Sequence, residues 1–160
     1  MSSISNNSFA NTPGEIVVGA YLPDATLNSF SGDIKKFSAY RGKPLIINIW
    51  ASWCGPCREE IGSLEHLSRR FGGKQINVIG VSTDDDASAA AAFIRESKLT
   101  FTNYLDSNVR LENMLGANTI PLTILVDARG RVVEKVRGSQ SWDSPEMLKL
   151  INQKLHLKLK

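Results

Sequence analysis

Cys54 and Cys57 are the only two cysteines in the 160-residue chain, and their spacing is Cys-x-x-Cys. A structural disulfide framework would use more cysteines set further apart, and a four-cysteine zinc site cannot be built from one such chain. The pair is therefore either redox-active or incidental. A zinc half-site completed by His66 is the metal alternative, but no further ligand is well placed, so no metal is expected. The motif Trp53-Cys54-Gly55-Pro56-Cys57 follows an apolar strand-like run and opens a helix-like one. A helix N-terminus presents unpaired N–H groups and about half a positive charge, which favours thiolate over thiol at Cys54. Cys57, one turn along, is within reach of a mixed disulfide formed at Cys54. Gly55 leaves Cys54 open, and Pro56 is tolerated in a first turn that needs no N–H.

A second candidate comes from helical periodicity. With about 100° per residue, Cys57, Ile61, Leu64, Leu67 and Phe71 form one apolar arc, and Glu60 falls inside it. Glu59 falls on the solvent side and Arg58 at the margin. Glu60 is thus expected to be partly buried close to Cys57. A carboxyl in apolar surroundings resists ionisation and can exchange protons near neutral pH. The bland alternative is a helix-start acid that reaches out to water. Ile120-Pro121 is a third candidate, because proline at a buried strand start removes a ladder donor and needs a reason. A cis peptide is one such reason, and the residues alone leave cis and trans open. Asn48, inside an apolar run, needs hydrogen-bond partners or water. Trp50 reads as core, and Trp53 as a surface cover for Cys54 that contacts partners.

The elements that must hold these residues alternate. Residues 27–30 and 34–37 flank a Ser31-Gly32-Asp33 turn and predict a hairpin. Leu45–Trp50 reads as a buried central strand, and a helix follows from about Cys54 to Phe71, ended by Gly72-Gly73. Residues 76–82 read as a second buried strand. Asp84-Asp85-Asp86 then reads as the start of an Ala-rich helix reaching Lys98, with its acids at the positive pole. A strand over 101–105, a short helix over 107–115 and a strand over 121–126 follow. A turn at 127–130 leads into a strand over 131–137, and Ser144-Pro145-Glu146 starts the last helix. This order predicts an α/β protein with a mixed sheet covered by helices on both faces. Residues 1–15 read as a polar leader or tether and 16–160 as one domain.

Composition bounds the rest. The hydrophobic fraction is 42%, the charged fraction 22% and the net charge +3. These are ordinary for a globular domain, and no basic stripe with interleaved aromatics marks nucleic-acid binding. Lys154, Lys158 and Lys160 read as a solvated helix end. No apolar run spans a bilayer and no apolar signal core is visible. The chain is therefore either cytoplasmic or begins after a removed signal or anchor.

The stretch from Asn48 to Glu60, containing Trp53-Cys54-Gly55-Pro56-Cys57-Arg58-Glu59-Glu60, resembles the thioredoxin superfamily. In particular it is similar to the TlpA/ResA-like branch of extracytoplasmic thiol–disulfide reductases. Supporting segments are Gly19–Asp24, Arg41-Gly42-Lys43-Pro44, Ile120-Pro121-Leu122-Thr123 and Asp127–Gly130, and the likeness runs from about Gly19 to Leu155. The resemblance implies a thioredoxin-like fold with an extra N-terminal hairpin. It makes Cys54 the attacking cysteine, Cys57 the resolving one, Pro121 a cis-proline facing the pair, and Glu60 a glutamate that tunes the thiols. Asn48 stands where ordinary thioredoxin carries a buried aspartate, and Gly62 where the branch usually has proline.

The function implied is reduction of disulfides in client proteins, for example in apocytochrome c maturation, without metal or organic cofactor. Trp53, Gly55, Pro56, Ile120 and Pro121 would hold the client. The implied partners are a disulfide-containing client and an upstream membrane thiol donor, with no nucleic acid; a monomer is the default. The implied compartment is periplasmic or otherwise extracytoplasmic. The alternatives are a thiol peroxidase of peroxiredoxin type, a non-catalytic binding or chaperone module, and a metal carrier using Cys54, Cys57 and His66.

Overall fold

The computed structural model describes residues 14–160. Its seven strands form one mixed sheet in the order β2-β1-β5-β4-β3-β6-β7. The centre is parallel: β3 (Leu45–Trp50) pairs with β4 (Asn77–Ser82), and β4 with β5 (Thr102–Leu105). Antiparallel β6 (Leu122–Val126) and β7 (Val132–Arg137) close one side, and the hairpin β1 (Thr26–Ser29) with β2 (Ile34–Lys36) closes the other. The mixed sheet and the N-terminal hairpin are those expected from the sequence. Phe37, placed at the end of the hairpin by its sequence pattern, instead buries its ring and opens a one-turn 3-10 helix, Phe37–Tyr40.

All six residues of β3 are buried, as a strand covered on both faces requires. Strand alternation sends Ile46, Asn48 and Trp50 to one face and Leu45, Ile47 and Ile49 to the other. On the first face, Ile46 and Trp50 pack with α1 (Gly55–Phe71), α2 (Ala87–Glu96) and α4 (Pro145–Leu155). On the second, the three aliphatics pack with Leu22, Leu27, Phe37, and Leu111 and Leu115 of α3 (Arg110–Leu115). Each fully buried aliphatic side chain contributes about 1.5–3 kcal/mol.

Two helices begin later than their sequence patterns suggest. The acidic run 84–86 does not lie within a helix: Asp86 alone caps α2, accepting the Ser88 N–H at 2.9 Å. The predicted helix over 107–115 shortens to α3 because Asp106 is buried and accepts the N–H groups of Leu111 and Glu112. α4 starts where the Ser-Pro-Glu signal places it, with Ser144 Oγ accepting the Met147 N–H.

The segment ahead of β1 straps the sheet. Gly19 N–H donates to Val132 O and Val132 N–H donates to Ala20 O, so this segment borders β7. Leu22 and Leu27 then carry it over the second face to the hairpin at the opposite edge. The leader expected over 1–15 lies outside the described residues up to residue 13. Glu15 is described, and its carboxylate pairs with Lys135 Nζ at 2.7 Å. Among the described residues no helix is long and apolar enough to cross a membrane.

Candidate active site

β3 ends at Trp50, and the chain must turn from the end of this central strand into α1. It does so in one turn closed by Cys54 N–H donating to Ala51 O at 3.1 Å. Cys54 is the N-cap of α1, and its Sγ accepts the Cys57 N–H at 3.2 Å. Pro56 occupies the first turn, where no backbone donor is lost. Cys54 and Cys57 are joined as a disulfide. Cys57 is fully buried, whereas Cys54 keeps 5% of its surface beside exposed Gly55 and Pro56. Trp53 stands 71% exposed next to it. Trp50, by contrast, is core and donates its indole N–H to Asn103 Oδ1 at 2.9 Å.

The loop before β6 comes to the same place. The Ile120-Pro121 peptide is cis, and Ile120 O lies 3.8 Å from Cys54 Sγ. The structure therefore gathers Trp53, Cys54, Gly55, Pro56 and Ile120 at one rim, with Pro121 buried behind it.

Glu60 is fully buried, not partly buried as its place on the helical wheel suggests, because the sheet and the loop before α4 both close over it. Oε2 accepts Asn48 Nδ2 at 2.7 Å; Oε1 accepts the Trp142 indole N–H at 2.9 Å and Gln140 N–H at 3.1 Å. Burial pushes the carboxyl above its usual value, and these three donors pull in the opposite direction without cancelling the rise. Asn48 also donates to Thr123 Oγ1 at 2.9 Å, while its own Oδ1 has no protein partner. Glu59 and Arg58 are exposed.

His66 is on the outer side of α1, with Nδ1 3.1 Å from Asp143 Oδ2. It is not gathered with the cysteines, and no metal-binding group of three or more His, Cys, Asp or Glu side chains occurs among the described residues. Three residues at or near the site escaped the sequence patterns. Trp142 and Thr123 bond to the Glu60–Asn48 pair, and Asp84 reaches back to the turn before Cys54. Thr123 lay in a segment that supported the family resemblance without a role of its own, Asp84 read only as part of a helix start, and nothing local marked Trp142.

A helix-capping cysteine, disulfide-bonded to a buried partner and facing a cis-proline segment on this sheet, defines the class: a thioredoxin-fold thiol–disulfide oxidoreductase. The chain belongs to the AhpC/TSA family, whose sequence profile matches residues 18–135. Curated relatives carry the name thiol-disulfide oxidoreductase ResA. One such protein from Bacillus cereus is 25% identical over 129 residues, covering 81% of this chain and 75% of that one. The Oceanobacillus iheyensis protein is 29% identical over 133 residues, covering 81% and 69%. Among solved structures, a Chlorobium tepidum chain assigned to the thiol:disulfide interchange protein DsbE superimposes with a TM-score of 0.79 at 25% identity. It covers 88% of this chain and 99% of its own length. A Bacteroides vulgatus chain assigned as a thiol-disulfide oxidoreductase matches with a TM-score of 0.71 at 27% identity, covering 94% and 100%.

Proposed function

We propose that this oxidoreductase works as a reductant of client-protein disulfides outside the cytoplasm. The observation that carries this reading is Cys54 at the N-cap of α1, beside the Ile120 carbonyl and under exposed Trp53. In the reduced protein, the Cys54 thiolate attacks one sulfur of a client disulfide. A mixed disulfide forms and one client thiolate leaves. Cys57 gives up its proton, for which Glu60, three residues further along α1, is the proposed acceptor, and its sulfur attacks Cys54 Sγ. The second client thiolate leaves, and Cys54–Cys57 is oxidised. Two electrons have passed to the client, whose thiolates take up the Glu60 proton and one from solvent, and an upstream membrane thiol donor returns the electrons.

Client backbone docks along Ile120 and Pro121, with Trp53, Gly55 and Pro56 forming the rest of the seat. The resemblance to TlpA/ResA-like reductases supports an extracytoplasmic compartment, and there a dithiol needs its own electron source. The same resemblance supports a client such as the Cys-x-x-Cys-His segment of apocytochrome c. The protein acts as a monomer and needs no metal or organic cofactor.

Redox titration of the Cys54–Cys57 couple in thiol buffers tests the direction. A potential near the thioredoxin value of about −270 mV supports the reductant. A value between about −180 and −120 mV, the range of isomerases and oxidants, reverses the proposed electron flow. Rapid peroxide consumption would instead favour the thiol peroxidase.

A further inference from the structure

Asp84 is 2% exposed although the sequence pattern reads its run of three acids as the start of a helix. It sits just past the end of β4, and both carboxylate oxygens are engaged. Oδ2 accepts Ser52 N–H at 2.9 Å and Ser82 Oγ at 2.7 Å, and Oδ1 accepts Ser52 Oγ at 2.6 Å. Ser52 is thus held by two of its own polar groups at once. Its third, the carbonyl, accepts Arg58 Nη1 at 2.8 Å. The Arg58 guanidinium lies 4.8 Å over the Phe93 ring, and Phe93 in turn packs on Trp50. Every hydrogen-bonding group of Ser52 is committed, from the sheet on one side and from α1 on the other.

Ser52 is the second residue of the turn that ends at Cys54. The neighbouring side chains add little to the backbone restraints of this turn: Trp53 is largely exposed, and a Cβ at Gly55 would meet nothing within 4 Å. A buried carboxylate needs a reason, because removing it from water is costly unless its partners are fixed. Charge-assisted bonds to an N–H and a hydroxyl of the same residue fix both position and rotation.

We propose that Asp84 is a positioning residue for disulfide exchange, acting through Ser52 to hold the Cys54 turn against the Ile120 segment, with Arg58 as the opposing jaw. This rests on the reading that Cys54 is the attacking cysteine. The clamp matters when a bulky client disulfide must meet Cys54 Sγ and the Ile120 backbone together. It matters little for a small reagent that approaches the thiolate freely. Small displacements of a reacting group cost one to two orders of magnitude in rate.

The test compares the intact chain with Asp84→Ala, Asp84→Asn, Ser52→Ala and the Asp84→Ala/Ser52→Ala pair. Two rates are read: reduction of insulin disulfides, as kcat and KM, and iodoacetamide alkylation of reduced Cys54 across pH. Asp84→Ala is expected to lower kcat about tenfold while KM moves less than about twofold. The pH midpoint of alkylation stays in place. Asp84→Asn, which retains one acceptor for the Ser52 N–H, recovers part of the loss. Ser52→Ala costs less, and adds nothing once Asp84 is gone, as two residues acting through one contact must.

An unchanged kcat in a less stable Asp84→Ala protein overturns the proposal, since that is what a purely structural residue gives. So does an alkylation midpoint that shifts and carries kcat with it, since that would make Asp84 an electrostatic group. If Asp84→Ala does not fold, Ser52→Ala decides: a loss of kcat supports the clamp and an unchanged kcat rejects it. Cys54→Ser separates the two levels. Activity in that variant removes the reading on which the clamp rests, whereas an inactive Cys54→Ser beside a fully active Asp84→Ala rejects the clamp alone.

Discussion

Trp142 donates its indole N–H to Glu60 Oε1 at 2.9 Å, joining the loop before α4 to the first turns of α1 across 82 residues of chain. Both side chains are buried, so the bond closes the carboxyl away from water at the side opposite Asn48. Trp142→Phe keeps most of the ring and removes the donor. It should destabilise the fold by about 1–3 kcal/mol, because Oε1 is then left with the Gln140 N–H alone. Chemical denaturation of the two proteins measures this, and equal midpoints would contradict the assigned bond.

The Glu60 carboxyl is held above its usual value by burial. The folded protein therefore keeps this proton at pH values where the unfolded chain has released it. Stability from this group is complete below the ordinary carboxyl value, falls as pH rises through the raised one, and is flat beyond. Glu60→Gln removes that fall. Its amide can be accommodated if the Asn48 amide turns over, since Asn48 Oδ1 has no protein partner to lose. The melting temperature of Glu60→Gln relative to the parent should rise with pH across this window, by about 2–4 °C for each kcal/mol. A constant difference from acid to neutral pH would place the proton elsewhere.

Cys57 is fully buried behind Cys54, so only one sulfur of the pair can meet a client. Cys57→Ser should accumulate a client–Cys54 mixed disulfide, stable on non-reducing gels and lost on reduction. Cys54→Ser should give none. The opposite pattern would exchange the two roles.

Gly80 lies in β4 where a Cβ would meet Asn103 Oδ1 and come within 2.8 Å of Trp50 Nε1. The Trp50–Asn103 bond fills the space a methyl group would need. Gly80→Ala should destabilise the protein by about 1–3 kcal/mol through overpacking. Tryptophan fluorescence should change with it, because Trp50 must move. Since Trp50 is the residue from which the active-site turn departs, disulfide reduction should slow as well.

Local signals were legible and distant pairings were not. The apolar run of β3, the Cys-Gly-Pro-Cys helix start and the Ser144-Pro145 cap are each written in a few adjacent residues, and their elements form where the patterns lie. Helical periodicity separated Glu60 from Glu59, but not the full depth of Glu60, which depends on Trp142 and Gln140 from the far end of the chain. Asp84 looks like its neighbours Asp85 and Asp86 in sequence. Only the parallel register of β3 with β4, which sets Trp50 beside Ser82, brings Ser52 within its reach. Glu65 escaped for a similar reason: it lies in the middle of α1, yet its carboxylate is buried, accepting the Thr100 N–H at 2.8 Å.

The strap that runs from β7 across the sheet to the hairpin has a consequence for the order of assembly. Its partners, Gly130 to Val132 at one edge and Tyr104 and Leu105 at the other, are synthesised long after it. During translation, Leu22 and Leu27 can cover Leu45, Ile47 and Ile49, but the backbone pairings at the two edges cannot form until β5 and β7 have emerged. The central β3–α1–β4 unit is local by comparison and can form first. The edge pairings of the amino-terminal portion thus form last, closing the longest loops in the chain, which are the slowest to close. Until then both margins of the sheet remain open to other chains, so this protein should be most prone to aggregation in the interval before its own beginning folds back over it.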